Sequence, residues 1–233
     1  MRPFGFSTGA LALGDFRLAL RMLEGIDLDA IELSALRVRE LSALTDFARQ
    51  ADLDRFTYVS IHAPTDYDPS QEAGVVERLA GPAARGWPIV VHPDAIRDRS
   101  LWKRLGSRLC IENMDKRKPV GRTAEELARI FDEFPEARMC FDIGHARQVD
   151  TSMTEAYRIV RDFAEKIEQI HISVVGTSSR HDLISPSAAQ AFRRVASLIP
   201  GTVPAILETP VTRDQIQGQL HLAAAALDFA PVG

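Results

Sequence analysis

Two cysteines in 233 residues, Cys110 and Cys140, are too few for a disulfide framework. Each stands two residues before an acid that closes an apolar run, so both thiols point to the same side as those acids and read as reduced core groups. No apolar run approaches the roughly 20 residues that span a bilayer. The N-terminal stretch has no charged region followed by a long apolar one, which predicts a cytoplasmic protein with no membrane partner. An excess of positive charge is missing too: a net charge of −4 and a pI near 5.9 give no global attraction to nucleic acid or anionic lipid. Linkers and low-complexity tracts are absent, so residues 1–233 read as one domain. At 45% hydrophobic and 26% charged, the chain can bury a substantial core.

What is there is a repeated phrase: a short apolar, β-branched run closed by one acidic residue or one histidine. It closes at Glu32, His62, His92, Glu112, Asp142, His171 and Glu208, at intervals of 30, 30, 20, 30, 29 and 37 residues. That is the period of a βα unit. Strands are expected at Phe4–Thr8, Ala30–Leu33, Phe56–Ile61, Pro88–Val91, Arg108–Ile111, Met139–Phe141, Gln169–Ile172 and Pro204–Leu207. Helices are expected at Gly14–Leu23, Leu36–Arg49 and Thr154–Phe163, with one opening at Thr123 and one closing the chain over Leu220–Phe229. The fold class is therefore α/β, a single (β/α)8 TIM barrel at the small end of its size range.

In such a barrel the C-terminal strand ends face the catalytic mouth. Five of the six histidines, His62, His92, His145, His171 and His181, fall at a strand end or in the loop just after one, and only His221 lies in a helix. Histidines and carboxylates that converge desolvate and repel one another unless a cation sits between them, so a divalent metal is expected. Asp142 and His145 are spaced D-x-x-H across Gly144, which would let the backbone turn back; an Asp capping the next helix fits the same spacing. Glu32 is placed at the mouth by its strand. Lys116, Arg117, Lys118 and Arg122 make the densest basic loop, which suggests an anion; a solvated loop is the alternative.

These residues resemble the xylose isomerase-like TIM-barrel superfamily along essentially the whole chain. That group includes sugar isomerases and epimerases, inosose dehydratases and the endonuclease IV nucleases. Resemblance to the tagatose-epimerase-like branch implies one metal on Glu112, Asp142, His171 and Glu208, with His145 and Arg180 contacting substrate. It implies Glu112 and Glu208 as the catalytic pair, moving a carbon-bound proton through a metal-stabilised enediolate. Resemblance to endonuclease IV implies up to three ions, with His62, His92, His145 and His181 as further ligands. That branch expects Asp-Arg-His where this chain has Ser179-Arg180-His181. The ligand set suits Mn, Zn, Co or Fe, one to three ions.

The function expected is a metal-dependent isomerase or epimerase of a sugar or sugar phosphate. Lys116, Arg117 and Arg147 would hold an anionic group on the substrate, and Glu32 would add a further contact. A multinuclear phosphoesterase or abasic-site nuclease, with nucleic acid as partner, is the alternative. A dehydratase of a sugar or inositol derivative is the second. Short loops after strands one and two, and Ser179, weigh against a nuclease. A homodimer stays open.

Overall fold

Strands buried on both faces need nearly continuous apolar runs, and the repeated runs supply them. The structure, a computed structural model, describes residues 2–227. The barrel strands are β1 (Phe4–Ser7), β2 (Ala30–Ser34), β3 (Tyr58–His62), β4 (Ile89–Val91), β5 (Leu109–Glu112), β6 (Arg138–Asp142) and β7 (Ile167–Ile172). A small hairpin, β8 (Val174–Val175) and β9 (His181–Asp182), precedes the last barrel strand, β10 (Ala205–Leu207). All eight barrel strands pair in parallel and close in the order β1-β10-β7-β6-β5-β4-β3-β2. The fold is the (β/α)8 barrel.

The helices are α1 (Thr8–Ala12), α2 (Phe16–Met22), α3 (Val38–Gln50), α4 (Glu72–Ala84), α5 (Arg99–Lys103), α6 (Ala124–Glu133), α7 (Ile143–Val149), α8 (Thr154–Phe163), α9 (Pro186–Ala196) and α10 (Ile216–Leu227). Their buried residues recur at helical spacing, as Leu41, Leu44, Thr45 and Ala48 in α3 or Ala156, Ile159, Val160 and Phe163 in α8, and this stripe packs on the sheet. Thr123 caps α6 through Glu126 N at 3.2 Å, and Ser185 caps α9 ahead of Pro186. Among the described residues no helix is long and apolar enough to cross a membrane.

Several boundaries differ from expectation in ways that matter for the site. β3, β5 and β6 include His62, Glu112 and Asp142, so these residues are held by the ladder itself. The first expected helix begins later, at Phe16, because the extra helix α1 continues directly from β1 over the mouth. α10 opens at Ile216, behind a capping box of Thr212 and Gln215; the expected end at Phe229 lies outside the described residues. The segment expected as a polar loop, 176–182, is a hairpin turn that sets His181 in β9 opposite Val175.

The main apolar core lies between sheet and helices, whereas the lumen carries little hydrocarbon. Val90, Cys110 and Cys140 form a small separate cluster there, and both thiols are buried and unpaired, as expected. Polar side chains fill much of the rest: Tyr58 donates to Gln169 Oε1 at 2.7 Å, and Gln169 Nε2 donates to Glu32 at 2.8 Å. This column carries the floor of the mouth.

Candidate metal centre

Inward alternation along the strands brings Glu112 (β5), Asp142 (β6), His171 (β7) and Glu208, just past β10, together at the C-terminal end. One ligand atom from each lies within 4.8 Å of the others. His171 Nδ1 stands 3.2 Å from Glu112 Oε1 and 3.3 Å from Glu208 Oε2. Its other nitrogen, Nε2, lies 2.9 Å from Glu32 Oε2. Nε2 also lies 2.8 Å from Gln169 Nε2; because the Glu32 carboxylate can only accept, a neutral ring that donates to it through Nε2 would present the Nδ1 lone pair toward two carboxylates.

Glu112 also faces a second set. His62 Nε2 lies 3.3 Å and His92 Nε2 3.2 Å from Glu112 Oε2. His62 Nδ1 bonds the carbonyl of Ala63 at 2.9 Å, so its Nε2 likewise turns a lone pair on a carboxylate. Each contact needs a proton or a cation in between, and the protonation equilibria register that demand. Burial disfavours the charged form of His62, yet its hydrogen bond to Glu112 and the charges of Glu32, Glu112 and Glu208 raise its pKa from 6.5 to about 9. His171 is likewise opposed by burial but held well above its ordinary value by Cys140, Glu208, Glu32 and Glu112. Against burial, His171 and His92 hold Glu112 well below the carboxylate range, and His171 and His181 lower Glu208.

Asp142 is the group left over. Its Oδ1 accepts from the backbone N–H of His145 at 2.6 Å and so caps α7, while its backbone is clasped by Asn113 at 2.8 and 2.9 Å. Oδ2 is buried without a hydrogen bond. Burial, then the charges of Glu112 and Glu208, push its pKa well up. The D-x-x-H spacing therefore serves both ends at once, one oxygen as helix cap and the other free toward the site. Gly144 is needed for space rather than for a turn: a Cβ there would meet the Ser173 carbonyl oxygen at 2.4 Å. An orphaned carboxylate oxygen beside histidine lone pairs fits a divalent cation, which would be held by Glu112, Asp142, His171 and Glu208. His62 and His92, sharing Glu112, fit a second.

Above this floor opens a cavity of about 600 Å³, and its wall includes Glu112, Glu208, His62, His92, His145 and His181. Asp142 and His171 lie wholly buried behind it. His145 and His181 face each other with ring centroids 5.4 Å apart, their Nδ1 atoms 3.0 Å from the Asn113 carbonyl oxygen and 2.8 Å from Ser173 Oγ. Among the described residues neither joins a metal-ligand group with the four-residue set or with His62 and His92. Ser179, at φ 58°, donates instead to Asp115 Oδ1 at 2.5 Å.

Three expectations are corrected. Glu32 does not reach the mouth: β2 runs on to Ser34, and Glu32 lies wholly buried beneath His171 as its hydrogen-bond partner. The basic loop does not converge on the cavity. Lys118 lies on the wall but pairs with Asp94 at 2.9 Å, and Arg122 is clamped by Glu126. Lys116 is exposed off the wall, and Arg117 donates to the Ser178 carbonyl at 2.6 Å, tying the loop to the hairpin. Arg147 also stands off the wall, whereas Arg180 is on it. Asn113, Gln169 and Ser173 were not anticipated; Gln169 and Ser173 flank His171 at i−2 and i+2, and strand alternation alone puts them on its side.

Residues 33–199 match the family model described as a xylose isomerase-like TIM barrel. No curated protein matches the chain. Among solved structures, a 3-keto-D-glucoside 4-epimerase from E. coli, in its apo form, superposes with a TM-score of 0.59 at 14% identity, covering 98% of this chain and 100% of that one. An AP endonuclease of family 2 from Brucella melitensis gives 0.57 at 13% identity, covering 90% and 94%. At such identities the likeness is one of fold.

Proposed function

Because the chain belongs to the xylose isomerase-like TIM-barrel family, we propose that it is a divalent-metal-dependent isomerase or epimerase of a sugar or sugar phosphate. One observation carries the reading: of the four clustered ligands, only Glu112 and Glu208 reach the cavity wall, and they flank His171 Nδ1 at 3.2 and 3.3 Å. When bound, the ion supplies electrophilic polarisation of a carbonyl and its neighbouring hydroxyl. One of the two carboxylates takes the carbon-bound proton and the other returns a proton to the neighbouring or opposite face. Both are held ionised in the metal-free chain, which suits the one that takes the proton; the one that returns a proton must first take that proton from solvent or a substrate hydroxyl. His171, fixed through Glu32, and Asp142, fixed through its cap, position that pair. His145, His181 and Arg180 orient substrate oxygens from the wall.

A second reading, phosphoester hydrolysis, is favoured by His62 and His92 on Glu112 Oε2, since two ions sharing a carboxylate suit in-line displacement at phosphorus. Proton-transfer chemistry leaves a trace that hydrolysis does not. In D₂O the metal-loaded protein is expected to exchange solvent deuterium into carbon of a ketose or ketose phosphate, followed by NMR. Absence of exchange across such a panel, with turnover of a simple phosphodiester that is lost in the His62→Gln/His92→Gln variant, would overturn the first reading in favour of the second.

A further inference from the structure

The cavity wall is chemically mixed. Beside the metal-ligand candidates and Arg180 it carries Ala10 and Leu13, which follow β1, and Ala35 and Leu36, which follow the neighbouring β2, so these four share one apolar edge; Ala63 and Pro210 add to the wall next to His62 and Glu208. The hydroxyls of Ser7 and Ser34 on that edge bond each other at 2.8 Å, and Thr65 adds one more hydroxyl to the wall. Leu13 is the anomaly: it is 73% exposed and closes α1 with φ 50° and ψ 39°, a left-handed position that normally takes Gly or Asn. Neither burial nor backbone preference explains a leucine there.

The wall around it is rigid. A Cβ at Gly9 would lie 2.9 Å from Ser34 Cβ and 3.0 Å from Leu36 Cδ2, so α1 sits hard against β2 and Leu36. The Leu36 N–H is pinned to Glu40 at 3.0 Å. Arg180, also on the wall, is exposed, with a guanidinium that contacts no acid among the described residues.

We propose that the substrate is an anionic hydroxy-carbonyl compound whose far end is an unsubstituted alkyl group, seated on Leu13 and Leu36, rather than a polyol along its whole length. This rests on the mouth being the substrate site of the enzyme inferred above. Covering Leu13 and Leu36 with hydrocarbon removes apolar surface from water on both partners, whereas a polyol seated on the two leucines would lose hydration against side chains that offer it no hydrogen bond.

Calorimetric titration of the protein with methyl phosphate, n-butyl phosphate and glycerol 3-phosphate isolates the tail from the anion. With up to about fourfold tighter binding per buried methylene, n-butyl phosphate is expected to bind at least about tenfold tighter than methyl phosphate and clearly tighter than glycerol 3-phosphate. Leu13→Gly suits the left-handed backbone, so its Tm should stay within a few degrees of the parent. That variant should cut the butyl advantage at least about threefold and leave methyl phosphate unchanged. Arg180→Gln should weaken all three ligands alike. Glycerol 3-phosphate binding as well as n-butyl phosphate, an undiminished butyl advantage in Leu13→Gly, or no binding by any of the three would each overturn the proposal. A sound butyl series beside failed deuterium exchange would remove the isomerase reading and keep the hydrocarbon wall; the converse would do the reverse.

Discussion

Glu112 and Lys116 are four residues apart, yet the structure treats them as different kinds of position. Glu112 ends a barrel strand: pairing with Cys140 of β6 fixes its backbone, alternation fixes its inward side, and four histidine nitrogens stand within 3.4 Å of its carboxylate. Lys116 is in a loop whose backbone is pinned by Gln148 at 2.9 Å while its side chain points to water. The other charges of that loop are absorbed locally, by Asp94, by Glu126 and by the Ser178 carbonyl. A strand end dictates where its side chain goes. A loop of the same charge density dictates only that its charges find partners.

The comparison breaks most visibly at the strand ends. Asp142→Ala or His171→Ala should abolish metal binding by the set with Glu112 and Glu208 while circular dichroism still reports a folded barrel, because both lie above the packed core. Full metal occupancy in either variant would remove that set as a metal site. Glu32→Gln should weaken the same ion about 10- to 100-fold in a chelator competition, since it loosens the partner that orients His171; unchanged affinity would reduce Glu32 to part of the lumen's hydrogen-bond column. His62→Gln/His92→Gln should remove one ion per chain and spare proton-transfer activity to within about tenfold.

A pH series sharpens the same point without substrate. His62, raised from 6.5 to about 9 in the folded metal-free chain, contributes stability that is complete below its unfolded value and is lost as pH rises through the folded one. Melting in chelator should therefore fall between pH 6.5 and 9, and His62→Gln should flatten that fall; an equally steep fall in the variant would assign it elsewhere. The smallest effect belongs to the loop. Lys116→Ala/Arg117→Ala should change the KM for an anionic substrate less than about threefold, and a larger rise would return the loop to the binding site.

The barrel was legible because its signal is repetitive: seven apolar runs, each closed by one acidic residue or histidine, at intervals of 20 to 37 residues. The same repetition marked Glu112, Asp142, His171 and Glu208 as strand-end residues; that these four of the seven form one group was implied by the family resemblance and not by the pattern. Glu32 shared the pattern and was misplaced, because the pattern fixes a side and leaves depth open; two more strand residues, Leu33 and Ser34, put it under the floor. Gln169 and Ser173 were readable from the i±2 rule and were passed over as ordinary polar residues. His181 depended on a hairpin five residues across its turn, which no periodicity announces, and the character of α1's apolar wall depends on long-range packing against Leu36.

The central claim is that four strand-end residues hold an ion, with Glu112 reaching toward a second. Anomalous diffraction from crystals of the protein loaded with cobalt or zinc tests it most directly. The account predicts a strong peak bounded by Glu112, Asp142, His171 and Glu208, and a second beside His62 and His92 on the other oxygen of Glu112. Fully loaded crystals with no anomalous peak among the first four residues would contradict it.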